Sequence, residues 1–161
     1  MNGERMDNSD LFKYNDKYFG EVWASEHLMK LIPTLHKPNT TEYDLEYGDE
    51  KIEAKASRVR NRDKIDEYHN YAPMRYGEEG TWRVSFNRIK GYADTFIFIL
   101  VWLDKIKYFL MTKDEVFNFV HRTARQGRGS PDEFLISISN TTYKDLEPYE
   151  VSVSELRDIY R

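Results

Sequence analysis

The stretch TFIFILVWL, residues 95–103, constrains the fold more than any other part of the chain. Every residue from Phe96 to Leu103 is apolar, and most are β-branched or aromatic. The run is too short to span a bilayer and reads as a strand buried on both faces. Such a strand needs apolar cover above and below, so the remaining elements must supply a layer on each side. The chain has 161 residues, of which 40% are hydrophobic and 15% aromatic, enough to close that core as a single domain spanning 1–161.

The flanking patterns name the covering layers. From Asp16 to Ile32, Tyr18, Val22, Met29 and Ile32, joined by Phe19 and Trp23, recur at helical spacing, and Pro33 ends the helix. Strands are expected at Glu42–Tyr47 and Glu50–Ser57, and residues 58–80 carry no assignable pattern. TWRVSF alternates as a third strand, and an Asp104-Lys105 turn leads into a strand over Ile106–Met111. Thr112 with Glu115 forms a capping box for a helix from Lys113 to about His121. RTARQGRGSP reads as a basic loop, EFLISIS as a strand, and Ser152 with Glu155 caps a last helix. The expected class is α/β (α+β), a central mixed β-sheet flanked by helices.

Charge and composition narrow the function classes. With 24 Lys+Arg against 28 Asp+Glu the net charge is −4, so any polyanionic partner must be met by local basic patches. The absence of cysteine excludes disulfides and thiolate metal sites. The opening MNGERMDNSDLFK lacks the apolar centre of a signal peptide, and a soluble cytoplasmic protein without membrane association is the expectation. His27, His36, His69 and His121 have no metal-ligand spacing and read as structural or surface residues.

The segment DLEYGDEKIEAKAS, residues 44–57, carries the chemistry. Gly48-Asp49 suits a two-residue type II′ turn, which sets Tyr47 opposite Glu50, Leu45 opposite Ile52 and Asp44 opposite Glu53. Tyr43, Leu45, Tyr47, Ile52, Ala54 and Ala56 then face a core, and Asp44, Glu53 and Lys55 share the other side. Two carboxylates in direct opposition repel unless something lies between them, and a divalent cation would fit. Lys55 would orient or deprotonate a water, or neutralise charge at a phosphate. The same charges also read as a solvated hairpin face, since Glu-x-Lys after an acidic residue is common.

A helix before the hairpin and acids on adjacent strands make residues 16–111 resemble the PD-(D/E)XK nuclease superfamily, with its restriction-endonuclease-like fold. Asp44, Glu53 and Lys55 match the motif residue by residue, while Tyr43 stands where the name-giving proline would be. The resemblance implies Mg²⁺, with Mn²⁺ as a substitute, held by Asp44 and Glu53 with a glutamate from the preceding helix. Glu21 looks like that glutamate, with Glu26 one turn on as competitor and a dipole-facing surface residue as the bland reading.

The implied activity is Mg²⁺-dependent hydrolysis of double-stranded DNA by a restriction-type or repair endonuclease, and the implied assembly is a homodimer. A catalytically silent DNA-binding or assembly module on the same fold, and a protein–protein domain with a charged hairpin, are the alternatives. Nucleic acid needs cations near the acids. Arg58, Arg60, Arg62 and Lys64 follow the Glu-x-Lys strand and would share one face if it continues, and Arg122, Arg125 and Arg128 lie in the basic loop. Arg83, Arg88 and Lys90 flank the third strand, and either set also reads as a solubilising run.

Overall fold

The computed structural model describes residues 6–124 and 133–161, without the side chains of Glu21 and Ala124. Arg125 and Arg128 lie outside the described residues. Among the described residues there are ten strands: β1 Leu45–Tyr47, β2 Glu50–Arg58, β3 Arg60–Ile65, β4 Tyr71–Pro73, β5 Arg83–Ile89, β6 Thr95–Trp102, β7 Lys105–Thr112, β8 Arg122–Ala124, β9 Phe134–Ser139 and β10 Glu150–Val151. They form a mixed five-stranded sheet ordered β1-β2-β6-β7-β10, a three-stranded sheet β5-β9-β8 and the ribbon β3-β4. With helices on the mixed sheet, the class is α+β, as expected.

β6 is the middle strand of the large sheet, parallel to β2 and antiparallel to β7. Its alternation builds two cores at once. Phe96, Phe98, Leu100 and Trp102 pack against Val84 and Phe86 of β5, Ile136 and Ile138 of β9, and Val116 of the short helix Lys113–Phe117. Ile97, Ile99 and Val101 pack against Phe19, Trp23 and Leu28 of the N-terminal helix and Leu156 of the C-terminal helix Val153–Ile159. The two-faced burial expected of this run follows directly from that sandwich.

Parallel strands need a long crossover, and here β3, β4 and β5 supply it between β2 and β6. The crossover is closed where Asp94 N–H donates to the Lys51 carbonyl at 2.8 Å and the Asp94 carboxylate accepts the Lys51 N–H at 2.9 Å.

Both capping boxes form, at Thr112 with Glu115 and at Ser152 with Glu155. The helix after Thr112 stops at Phe117, where Asn118 donates to Asp114, rather than reaching His121. Residues 58–80 hold the β3-β4 hairpin, and Trp82 sits just before β5. The turn into β7 is Leu103-Asp104, one residue earlier than expected, because Trp102 pairs with Lys105. The N-terminal helix, residues 16–31, is α-helical at both ends with a π segment Phe19–Trp23 between them. The extra residue in that wide turn shifts the apolar stripe, so Phe19, Trp23, Ala24 and Leu28 are buried while Val22 is left beside the acidic cleft described below.

Candidate active site

Gly48 has φ of 56° and Asp49 is not left-handed, the signature of a turn with its glycine first. The register follows: Tyr47 pairs with Glu50, Glu46 with Lys51 and Leu45 with Ile52. β1 begins only at Leu45, so Glu42 and Tyr43 do not pair across the hairpin. Tyr43 packs instead against the core between the two sheets, a correction to its expected place beside Leu45. The ladder ends at Leu45–Ile52 and Asp44 departs from it, its N–H donating to the Ile52 carbonyl at 3.1 Å and its Oδ2 accepting the Ala54 N–H at 2.8 Å.

That second bond lays the Asp44 carboxylate along β2 beside Glu53. Glu53 is buried, with 8% of its surface exposed. Burial foremost, then its hydrogen bond with Asp44 and the Asp44 charge, pushes the Glu53 carboxyl up to about 9. Glu53 therefore holds a proton at neutral pH, within hydrogen-bond reach of Asp44. Lys55, on the same side of β2, donates from Nζ to the Arg88 carbonyl at 3.4 Å.

The face that carries Asp44, Glu53 and Lys55 is not an open hairpin surface. β5 lies over it, and β1 pairs only with Glu50–Ile52, leaving residues 53–58 at the sheet edge between the N-terminal helix and β5. A cleft of 490 Å³ opens there, lined by Asp44, Glu53, Lys55, Glu26, Arg88 and Lys90. A second cleft of 590 Å³ shares Lys55 and Arg88 and adds Lys17, Gly20, Arg58 and Arg83. The pair forms one groove: one end carries the acids Glu26, Glu42, Asp44 and Glu53 among Lys37, Lys55, Arg88 and Lys90, and the other is basic, with Asp16 its one acid.

Glu21 lies in the π segment, with its side chain outside the described residues. Glu26 lines the acidic cleft, with Tyr18 Oη donating to its carboxylate at 3.5 Å. The basic cluster after β2 does not form one face of a continuing strand, because β2 ends at Arg58 and β3 belongs to a different sheet. Arg58 donates to the carbonyls of Leu11 and Tyr14, pairs with Asp16 and stacks on Phe19 at 4.5 Å. Arg60 donates to the carbonyls of Phe12 and Tyr71. Arg62 stacks on Tyr71 and Lys64 pairs with Glu78 at 3.8 Å, both away from the groove. Arg122 stacks on Phe134 at 5.1 Å. Of the cations that line the groove, Arg83, Arg88 and Lys90 are the secondary candidates of the sequence, and Lys17 is one that sequence reasoning missed. Lys17 sits on the polar side of a helix like any solubilising lysine, and only the overlay of β5 on β2 brings the two arginines in.

Among the described residues no group of three or more His, Asp or Glu is placed to hold a metal. The histidines stand apart, His27 bonded to the Tyr108 hydroxyl at 2.6 Å and His121 to Asp145 at 2.7 Å. Asp44 and Glu53 are nonetheless a fit for a hard divalent cation. Mg²⁺ takes one or two carboxylates with water and phosphate oxygens completing its shell, and the adjacent Asp44 and Glu53 carboxyls supply that number. No family model, curated protein or solved structure matches the chain. The functional reading therefore rests on the groove itself. No helix among the described residues is long and apolar enough to cross a membrane.

Proposed function

We propose that the protein is a divalent-metal-dependent nuclease of the PD-(D/E)XK kind that hydrolyses phosphodiester bonds in double-stranded DNA. The observation that carries this reading is the buried Glu53 carboxyl held against Asp44, with Lys55 two residues along the strand in the same groove. Asp44 and Glu53 would hold Mg²⁺ or Mn²⁺, and Glu26 or Glu21 would add a ligand from the helix. Once bound, such an ion lowers the pKa of its water and neutralises phosphate charge.

The chain's own groups do the rest. Asp44 is fixed by the Ala54 N–H, so its free oxygen is aimed without rotamer loss. Lys55 Nζ donates to the Arg88 carbonyl, which aims it into the groove where it would neutralise the charge that builds on the non-bridging phosphate oxygens. In the reaction a water oxygen bonds to phosphorus as the ester P–O bond breaks, the water losing one proton and the leaving oxygen gaining one. A homodimer cutting both strands is the assembly the resemblance implies.

The test is incubation of plasmid and phage DNA with the protein in Mg²⁺, Mn²⁺ or EDTA, alongside Asp44→Asn and Glu53→Gln. Cleavage that needs metal and both acids is expected. Titration calorimetry with Mn²⁺ gives a readout independent of turnover. DNA binding without cleavage or metal uptake would favour the silent module instead.

A further inference from the structure

Arg88 occupies a position that the hydrolytic reading alone does not explain. Its φ is 57°, in the left-handed region that arginine rarely enters, and it lies where the β5–β9 register shifts between Phe86 and Ile89. Backbone strain at a bulge costs stability and persists where the re-aimed residue is used. Two things result here. The Arg88 carbonyl turns toward β2 and accepts the Lys55 ammonium at 3.4 Å, and the Arg88 side chain is left exposed on the wall common to both clefts. Among the described residues its guanidinium has no hydrogen bond or ion pair, whereas the guanidinium groups of Arg58 and Arg60 on the same wall are bonded to main-chain carbonyls.

We infer that Arg88 is a phosphate-positioning residue, and that the 590 Å³ cleft beyond it, with Lys17 and Arg83, holds the phosphodiester next to the one at Asp44 and Glu53. This deepens the nuclease reading and rests on it for the place where the strand starts. The charge layout sets the path: the Asp44–Glu53 pair in one cleft, Lys55 and Arg88 at the junction, and Lys17 and Arg83 beyond, where the one acid, Asp16, is paired with Arg58. A guanidinium at the junction can grip two oxygens of one phosphate, which a lysine cannot do. The bulge also couples the two functions, since the residue that grips the neighbouring phosphate supplies the carbonyl that steers Lys55.

The experiment uses the full chain, a fluorescently labelled DNA duplex with Ca²⁺ for binding by anisotropy across a salt series, and the same duplex with Mg²⁺ for cleavage. Arg88→Gly keeps the left-handed backbone and the carbonyl while deleting the cation; Arg88→Lys keeps a charge without the fork. Arg88→Gly is expected to weaken binding roughly tenfold and flatten the slope of log affinity against log salt by about 0.9, at an unchanged or higher melting temperature. Arg88→Lys should restore the slope but only part of the affinity. Wild-type affinity and slope in Arg88→Gly would overturn the role of Arg88 while leaving metal-dependent cleavage standing. If instead the wild type binds with the expected Arg88 dependence but never cuts, the subsite stands and the hydrolytic reading falls. No salt-dependent binding by the wild type would end both.

Discussion

Asp44 accepts the backbone N–H of Ala54, the residue between Glu53 and Lys55, so one carboxylate both satisfies a mid-strand N–H that β1 does not reach and faces the acid that β2 carries. Structure and chemistry are thereby separable by substitution. Asp44→Asn retains an acceptor for Ala54, and Asp44→Ala does not. Urea unfolding in EDTA should find the alanine variant about 1 to 2 kcal/mol less stable than the asparagine variant, with Mn²⁺ affinity reduced in both. Equal stability would mean the bond contributes nothing.

Glu53 makes metal-free stability depend on pH. Its folded carboxyl titrates near 9 against an ordinary 4.5, so the native state keeps a proton that the unfolded chain gives up between those values. The stabilisation is complete below about pH 4.5 and is lost as pH rises toward 9. A decline of about 1 to 3 kcal/mol from pH 5 to pH 9 is expected in EDTA, and Glu53→Gln should flatten it. Mn²⁺ displaces the proton, so its stabilising effect should be larger at pH 8 than at pH 6.

His27 works in the opposite sense. It is stacked between Trp23 and Tyr108, and burial, with the nearby Lys30 charge adding, depresses its imidazole to about 4 from an ordinary 6.5. The unfolded chain takes up a proton below pH 6.5 that the native ring refuses. This contribution is present above about 6.5 and lost as pH falls toward 4, by about 1 to 2 kcal/mol. Histidine side-chain NMR should show a neutral His27 ring at pH 5.5; an ordinary midpoint would contradict its packing.

Arg58 fastens the segment before the N-terminal helix through the carbonyls of Leu11 and Tyr14. Arg58→Ala should cost about 2 to 3 kcal/mol and speed amide exchange over residues 11–16, while the salt slope of DNA binding stays unchanged. A reduced slope with normal exchange would return Arg58 to the substrate.

What could be read in the sequence is what depends on neighbours in the chain. The buried β6, both capping boxes and the hairpin register each rest on spacings of a few residues, and each is present. The observed register ends at Leu45–Ile52, and Asp44 is placed beside Glu53 by its own side-chain bond to the Ala54 N–H. What escaped was set by distant packing. Whether the face of Glu53 met solvent or a second sheet depended on β5 folding back over β2, and no local pattern encodes that. Tyr43 was misplaced because β1 is shorter than its alternation implied, and the basic cluster because Val59 separates β2 from a ribbon in another sheet. The π turn at Phe19–Trp23 breaks the periodicity on which the helical stripe was counted.

The closure of Asp94 on Lys51 joins residues 43 apart in the chain. Everything between them has to be gathered in before β6 can lie parallel to β2, and the loop entropy is spent before the sheet repays it. Glu53 and Lys55 sit just inside one end of that loop, Arg88 and Lys90 just inside the other. Refolding should therefore be slow for a chain of this size, and the groove should come into being in the same late event that completes the sheet, so that a half-folded chain presents neither the acids nor the cations in working order.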